Sequence, residues 1–193
     1  MQGAFVRAFL ALSLCTAAAQ GATMWTATLN QAQEVPATGS PGSGTGMASY
    51  DQGTTILTVS LTWADLTAPS IAGHIHCCVP PGANGAVAVP FAGLPALAVG
   101  SYNNTFNLSA AGSFSPDFLA TRGGSVTAAR TDLLAGLDSG NAYFNLHTAT
   151  FPNGEIRGNL TAATTTEVPE PHALPLLLMG LVLVAASRLT FRG

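Results

Sequence analysis

Four histidines and three cysteines are the residues of this chain best suited to metal or redox chemistry, and most of them fall in two places. "GHIHCCVPPGANG", Gly73 to Gly85, carries His74, His76, Cys77 and Cys78, and "NLHTAT" carries His147. On an extended strand residues i and i+2 point the same way, so His74 and His76 share a face while Ile71, Ile75 and Cys77 share the other. With the isoleucines turned to a core, the imidazoles point outward together. Neutral imidazoles are good ligands for Cu²⁺ and Zn²⁺, and a His-x-His strand supplies two of the three or four ligands such an ion takes. His147 is the candidate third ligand, and Glu155 can add a carboxylate or orient a ring from behind. The competing reading has no metal: histidines on a sheet face that hydrogen-bond to Thr, Asn or backbone.

Cys77 and Cys78 are a separate question. Adjacent side chains on a strand diverge, so a bond between them requires a special turn. An oxidising compartment favours some oxidised form, which makes a vicinal disulfide stiffening Val79-Pro80-Pro81-Gly82 the leading expectation. Thiolate ligation beside the histidines and a bridge to another chain stay open.

The elements that must position these groups read as strands. In "TTILTVSLTW" Leu57, Val59, Leu61 and Trp63 alternate with Thr58, Ser60 and Thr62, the period of a half-buried strand. Trp25, Ala27 and Leu29 alternate likewise, as do Tyr102, Phe106 and Leu108, then Ala142, Phe144 and Leu146, then Ile156 and Leu160. Asp51-Gln52-Gly53 marks a hairpin. "TDLLAGLDSG" is the one helix candidate, with Thr131 or Asp132 as cap and Gly140 as stop. The expectation is all-β: an antiparallel immunoglobulin-like sandwich or barrel of about seven to nine strands. In the last hairpin, Phe151 is expected opposite Glu155 across Pro152-Asn153-Gly154. That places His147 opposite Asn159 and gathers Tyr143, Asn145, His147, Glu155, Arg157 and Asn159 on one polar face, where Arg157 and Glu155 can pair.

The two ends have their own signatures. Arg7, an apolar run Ala8 to Leu14 and the small residues after it have the order of a secretory signal peptide, expected over 1–22. Residues 164–193 hold a Thr-rich linker, Val168-Pro169-Glu170-Pro171, an apolar stretch from Leu174 and the closing Arg188 and Arg192. This order resembles the PEP-CTERM sorting signal of exopolysaccharide-producing Gram-negative bacteria, which implies recognition by a membrane processing enzyme. A plain C-terminal membrane anchor is the alternative, since Leu174 to Leu189 approaches spanning length. Both readings place the protein outside the cytoplasm. The domain between, 23–163, has three arginines, no lysine and seven carboxylates. Such a surface is a poor partner for nucleic acid.

Gln33-Glu34-Val35-Pro36, His74-Ile75-His76, Asn84-Gly85, His147-Thr148 and Gly154-Glu155-Ile156-Arg157-Gly158 together resemble the CHRD domain, the module repeated in chordin and present singly in bacterial exported proteins. The resemblance runs from about Trp25 to Leu160. It implies an immunoglobulin-like barrel or sandwich, in agreement with the alternation, and little about activity. A strand His-x-His before a Gly/Asn loop is also locally similar to copper–zinc superoxide dismutases. No Gly-x-Ser-x-Gly, phosphate loop or glycosidase-like carboxylate pair is present. The expected function is therefore an exported, non-enzymatic module at the cell surface or in the exopolysaccharide matrix, binding surface proteins or polymer. The alternative is a copper- or zinc-binding protein, with dismutase-like redox chemistry as one form of it.

Overall fold

The computed structural model describes residues 22–163. Residues 1–21 and 164–193, which carry the expected export segment and sorting tail, lie outside the described residues. Among the described residues no helix is long and apolar enough to cross a membrane.

The strands are β1 (Thr23–Asn30), β2 (Ser43–Asp51), β3 (Ile56–Ala64), β4 (Ser70–Cys77), β5 (Ala86–Pro90), β6 (Gly100–Asn107), β7 (Ala142–Thr148), β8 (Ile156–Asn159) and β9 (Thr161–Ala162). They form one antiparallel sheet in the order β5-β4-β7-β8-β1-β2-β3-β6, with β9 also paired to β1. The alternation read from the sequence is the reason for the curl. Trp25 and Leu29, then Leu57, Val59, Leu61 and Trp63, then Phe144, Leu146 and Ile156 are all buried on the concave side. Each such side chain is worth about 1.5–3 kcal/mol when fully buried. A one-residue slip in any strand would turn a whole row of them outward, so the register is strongly specified. Between the sheet ends, Phe91 follows β5 and stacks on Tyr102 of β6 at 5.1 Å, while the Tyr102 hydroxyl donates to the Ala92 carbonyl at 3.0 Å. The fold is an all-β half-barrel, consistent with the sandwich or barrel expected.

Asp51 closes the β2–β3 hairpin as expected, its Oδ1 accepting from Gly53 N at 2.8 Å. The helical segment differs. A short α1 (Pro116–Ala120) precedes α2 (Val126–Asp138), and α2 begins before Thr131, at a Ser125 cap whose side chain accepts from Ala128 N. Asp132 lies inside α2 and pairs with Arg122 at 2.8 Å. Gly140, at φ +71°, follows α2 as expected. The α1 start was signalled by Ser115-Pro116-Asp117: a capping hydroxyl, proline in the first turn and an acid beside it. Leu133 and Leu137 of α2 enter the core.

Two further differences concern β4 and β8. Ile71 is 59% exposed although Ile75 and Cys77 are buried, because the register of β4 against β7 shifts between Ser70 and Ala72, and a bulge turns the intervening side chain over. The β7–β8 register pairs Leu146 with Ile156, Asn145 with Arg157 and Tyr143 with Asn159. Each β7 residue is paired four positions away from the partner that the three-residue loop would give it. The turn is longer because Thr148 ties it: Phe151 N donates to Thr148 Oγ1 and Thr148 N to the Phe151 carbonyl. A shift by an even number keeps the residues of β7 and β8 on their faces, so Tyr143, Asn145, His147, Arg157 and Asn159 stay together with new neighbours, without Glu155.

Candidate metal centre

The face of β4, β7 and β8 that turns away from the core is a grid of polar side chains. His76 pairs with Tyr143, His74 with Asn145, and Ala72 with His147 across β4 and β7. Asn145 pairs on its other side with Arg157. Asn145 is thus the centre of the patch, and His74 and His147 meet across the diagonal, within reach of two rings.

They do meet. His74 Nδ1 lies 3.1 Å from His147 Nε2, and one ligand nitrogen from each of His74, His76 and His147 lies within 4.8 Å of the others. Two nitrogens bound at 2.0–2.1 Å to one metal stand about 2.9 Å apart at a right angle and about 3.4 Å apart at the tetrahedral angle. The 3.1 Å separation falls between these. Second partners set the rings. His76 Nδ1 lies 2.9 Å from the Gly85 carbonyl and His147 Nδ1 lies 3.0 Å from the Pro152 carbonyl. A carbonyl only accepts, so each Nδ1 carries the proton and each Nε2 presents a lone pair, the state a metal requires. His76 Nε2 is buried with no hydrogen-bond partner among the described residues.

The imidazoles were expected to face solvent; they are covered instead. His76 and His147 are each 8% exposed and His74 is half-buried. The covering comes from loops tied together through Arg157. Its Nε donates to Glu34 Oε2 at 2.8 Å, Nη1 to the Ala83 carbonyl at 3.2 Å and Nη2 to Asn84 Oδ1 at 2.6 Å. Asn84 Nδ2 donates in turn to the Val35 carbonyl at 3.0 Å. Tyr143 is sandwiched, with the His76 ring 4.7 Å away on one face and the Arg157 guanidinium 4.4 Å away on the other.

Burial sets the protonation. Desolvation, reinforced by His147 and His76, pulls His74 down to about 4. Desolvation also pulls His76 down to about 4, helped by His147 and the Arg157 charge and opposed by the Gly85 carbonyl. His147 is lowered by desolvation and by Arg157, against the Pro152 carbonyl. Desolvation raises Glu34 despite its ion pair with Arg157.

Glu155 stands apart from the rings. Its carboxylate is completely buried and accepts four hydrogen bonds, from Ser40 Oγ, Thr67 N, Thr67 Oγ1 and Thr148 Oγ1. Desolvation would raise it, but these donors outweigh that and hold it below the usual carboxylate range. It pins three loops and neither ligates with the histidines nor pairs with Arg157, whose acid is Glu34. Cys77 and Cys78 form a disulfide with each other. The pair sits under α2, where a Cβ on Gly136 would come within about 2.3 Å of Cys77 Sγ.

Sequence reasoning named His74, His76 and His147 as one candidate ligand set and put Asn145 on the polar face with His147, but it did not bring Glu34 or Asn84 to the imidazoles. A signal existed for both, since Gln33-Glu34-Val35-Pro36 and Asn84-Gly85 stand among the motif pieces. What no local pattern revealed is that both fold onto the imidazole patch.

The half-barrel and its covered polar patch define a small antiparallel β-module with a preformed three-imidazole site. The profile of the CHRD domain family matches residues 25–160, well over half of the chain, and the chain belongs to that family. No curated protein and no solved structure matches the chain.

Proposed function

We propose that this CHRD module is an exported protein that binds one copper or zinc ion through His74 Nδ1, His76 Nε2 and His147 Nε2. One observation carries the reading: three ligand nitrogens converge within 4.8 Å in a covered site. Two of the rings are held by backbone carbonyls in the tautomer that binds metal. An all-imidazole set of three suits Zn²⁺ or Cu²⁺ and leaves a coordination position for an exogenous ligand. Elemental analysis of the purified full chain tests it. About one equivalent of copper or zinc, lost in the His74→Ala, His76→Ala variant while the thermal midpoint of the metal-free proteins stays close, supports the site. Metal-free protein after incubation with either ion removes it. If copper is the ion, superoxide consumption by the loaded protein separates redox chemistry from storage.

A second reading, compatible with the first, is a non-enzymatic role in an extracellular polymer matrix. The observation favouring it is the convex face of β1, β2, β3 and β6. Thr28, Thr45, Thr62 and Ser101 lie in one cross-strand row there, and Ser60 and Asn103 face each other in the next. This hydroxyl- and amide-lined face frames a groove of about 640 Å³ without a charged side chain in its lining. It suits a neutral polysaccharide better than a charged one.

A further inference from the structure

Beside His76 a cavity of about 390 Å³ is lined by Val35, His76, Tyr143, Asn145, Asn153 and Arg157, among others. A second one of about 250 Å³ shares Val35, Pro36 and Asn153 with it and is lined by Glu34 and Gly154. Gly154 makes this space: a Cβ there would sit about 2.8 Å from Asn145 Oδ1 and 2.9 Å from Glu34 Oε1. Both oxygens are buried and unpartnered among the described residues, on side chains 1% and 5% exposed. Native proteins leave few buried acceptors unpaired, because each one left so costs its full desolvation. Two such atoms converging on one glycine mark a place for a hydrogen-bond donor. Arg157 lies nearby, but Glu34 neutralises it, and Ala83 and Asn84 take its other ends. The pocket therefore has no net call for an anion.

We propose that these adjoining cavities bind a small, uncharged protic molecule that coordinates the metal through one nitrogen or oxygen and donates an N–H or O–H to Asn145 Oδ1 and Glu34 Oε1. The inference rests on the three-histidine reading for its metal. Asn145 is placed for this role, as the cross-strand neighbour of His74 and two residues from His147 on the same face. Its amide adds selectivity rather than metal affinity: an equally good metal ligand without a donor leaves the acceptors unpaired.

Imidazole and 1-methylimidazole are the probes, alike as metal ligands but differing in one N–H. Copper content is measured first, then each probe is titrated into the copper-loaded full chain and followed by the visible absorption of the copper. Imidazole is expected to bind about tenfold more tightly than 1-methylimidazole, the consequence of one acceptor left unpaired at about 1.4 kcal/mol. The preference should collapse in Asn145→Leu with copper content unchanged. Val35→Trp, at an exposed point of the rim, should weaken both probes without lowering copper content and covers the case in which Asn145→Leu does not fold. Equal binding of the two probes, or probe binding indifferent to Val35→Trp, overturns the pocket while leaving the metal site intact. Failure to load either copper or zinc overturns the metal site and the pocket with it; if zinc alone loads, the same two titrations are read by calorimetry.

Discussion

Lowering the pH from 7 to 5 should barely weaken metal binding, and this separates a covered histidine site from an exposed one. An ordinary imidazole near 6.5 is only about 3% neutral at pH 5, and needing two such groups neutral costs about a thousandfold in Kd. His74 and His76, held at about 4, remain about nine-tenths neutral at pH 5, a loss well under twofold for the pair. His147 is lowered as well and adds to the contrast. The charged groups around the patch are Arg157 and its partner Glu34, and the guanidinium acts in the same direction as burial. Stability of the metal-free protein carries the opposite face of the same linkage. The unfolded histidines take up protons near 6.5, whereas His74 and His76 in the folded protein do so only near 4, so the stability they contribute is full above 6.5 and is lost progressively down to about 4. For His76 alone the loss reaches about 3 kcal/mol, and the three rings interact, so their losses do not add. Competition with a chelator of known pH dependence gives Kd at pH 7, 6 and 5, and urea unfolding gives stability at the same points. A Kd that weakens a hundredfold or more by pH 5, with flat stability, would refute the claim that burial keeps these rings neutral.

Glu34→Gln should destabilise the fold by about 3 kcal/mol in urea unfolding, because it leaves the Arg157 charge buried without its acid. A loss under about 1 kcal/mol would show that the Ala83 carbonyl and Asn84 hold the guanidinium well enough alone. Export and sorting predict that the cell-associated protein has lost both ends, with a mass that stops near Glu167; a mass that retains Arg192 would show anchoring instead.

Strand alternation was legible because burial on one face leaves a period-2 record in each segment by itself. Leu57 to Trp63, and Phe144 with Leu146, needed no partner to be read. His74 and His76 were legible for the same reason. Their distance from His147 was not, since it depends on which strand lies beside β4, and that choice is made by the whole core. The β7–β8 register shows the limit more sharply. The glycine of Pro152-Asn153-Gly154 argued for a tight turn, yet Thr148 and its bonds to Phe151 lengthen it. Glu155 was drawn away from the imidazoles by Ser40 and Thr67, residues more than 80 positions off in the chain. The start of α2 was missed for a local reason: Thr131 and Asp132 have capping chemistry, but Ser125 offers the same chemistry earlier.

The family's motif pieces acquire a common physical sense once the patch is covered. A sheet needs one apolar face for its core, and the second face of β4, β7 and β8 would ordinarily be wet. Here it carries two imidazoles, His76 and His147, an amide and a guanidinium that are almost as buried as the core itself. That burial is affordable only if loops bring matching partners. Glu34 answers Arg157, Asn84 joins Arg157 to the Val35 carbonyl, Gly85 and Pro152 orient two rings, and Gly154 leaves room where a side chain would collide with Asn145. Glu155, which looked like a ligand, serves the same end by fastening Ser40, Thr67 and Thr148 around the patch. Satisfying a fold's own polar groups does not require His76 Nε2, Glu34 Oε1 and Asn145 Oδ1 to be left unpaired inside such a network. Structural polar clusters close their bonds, whereas this one leaves His76 Nε2 and Asn145 Oδ1 open beside one cavity and Glu34 Oε1 beside its neighbour, the arrangement that the proposed ligand site requires.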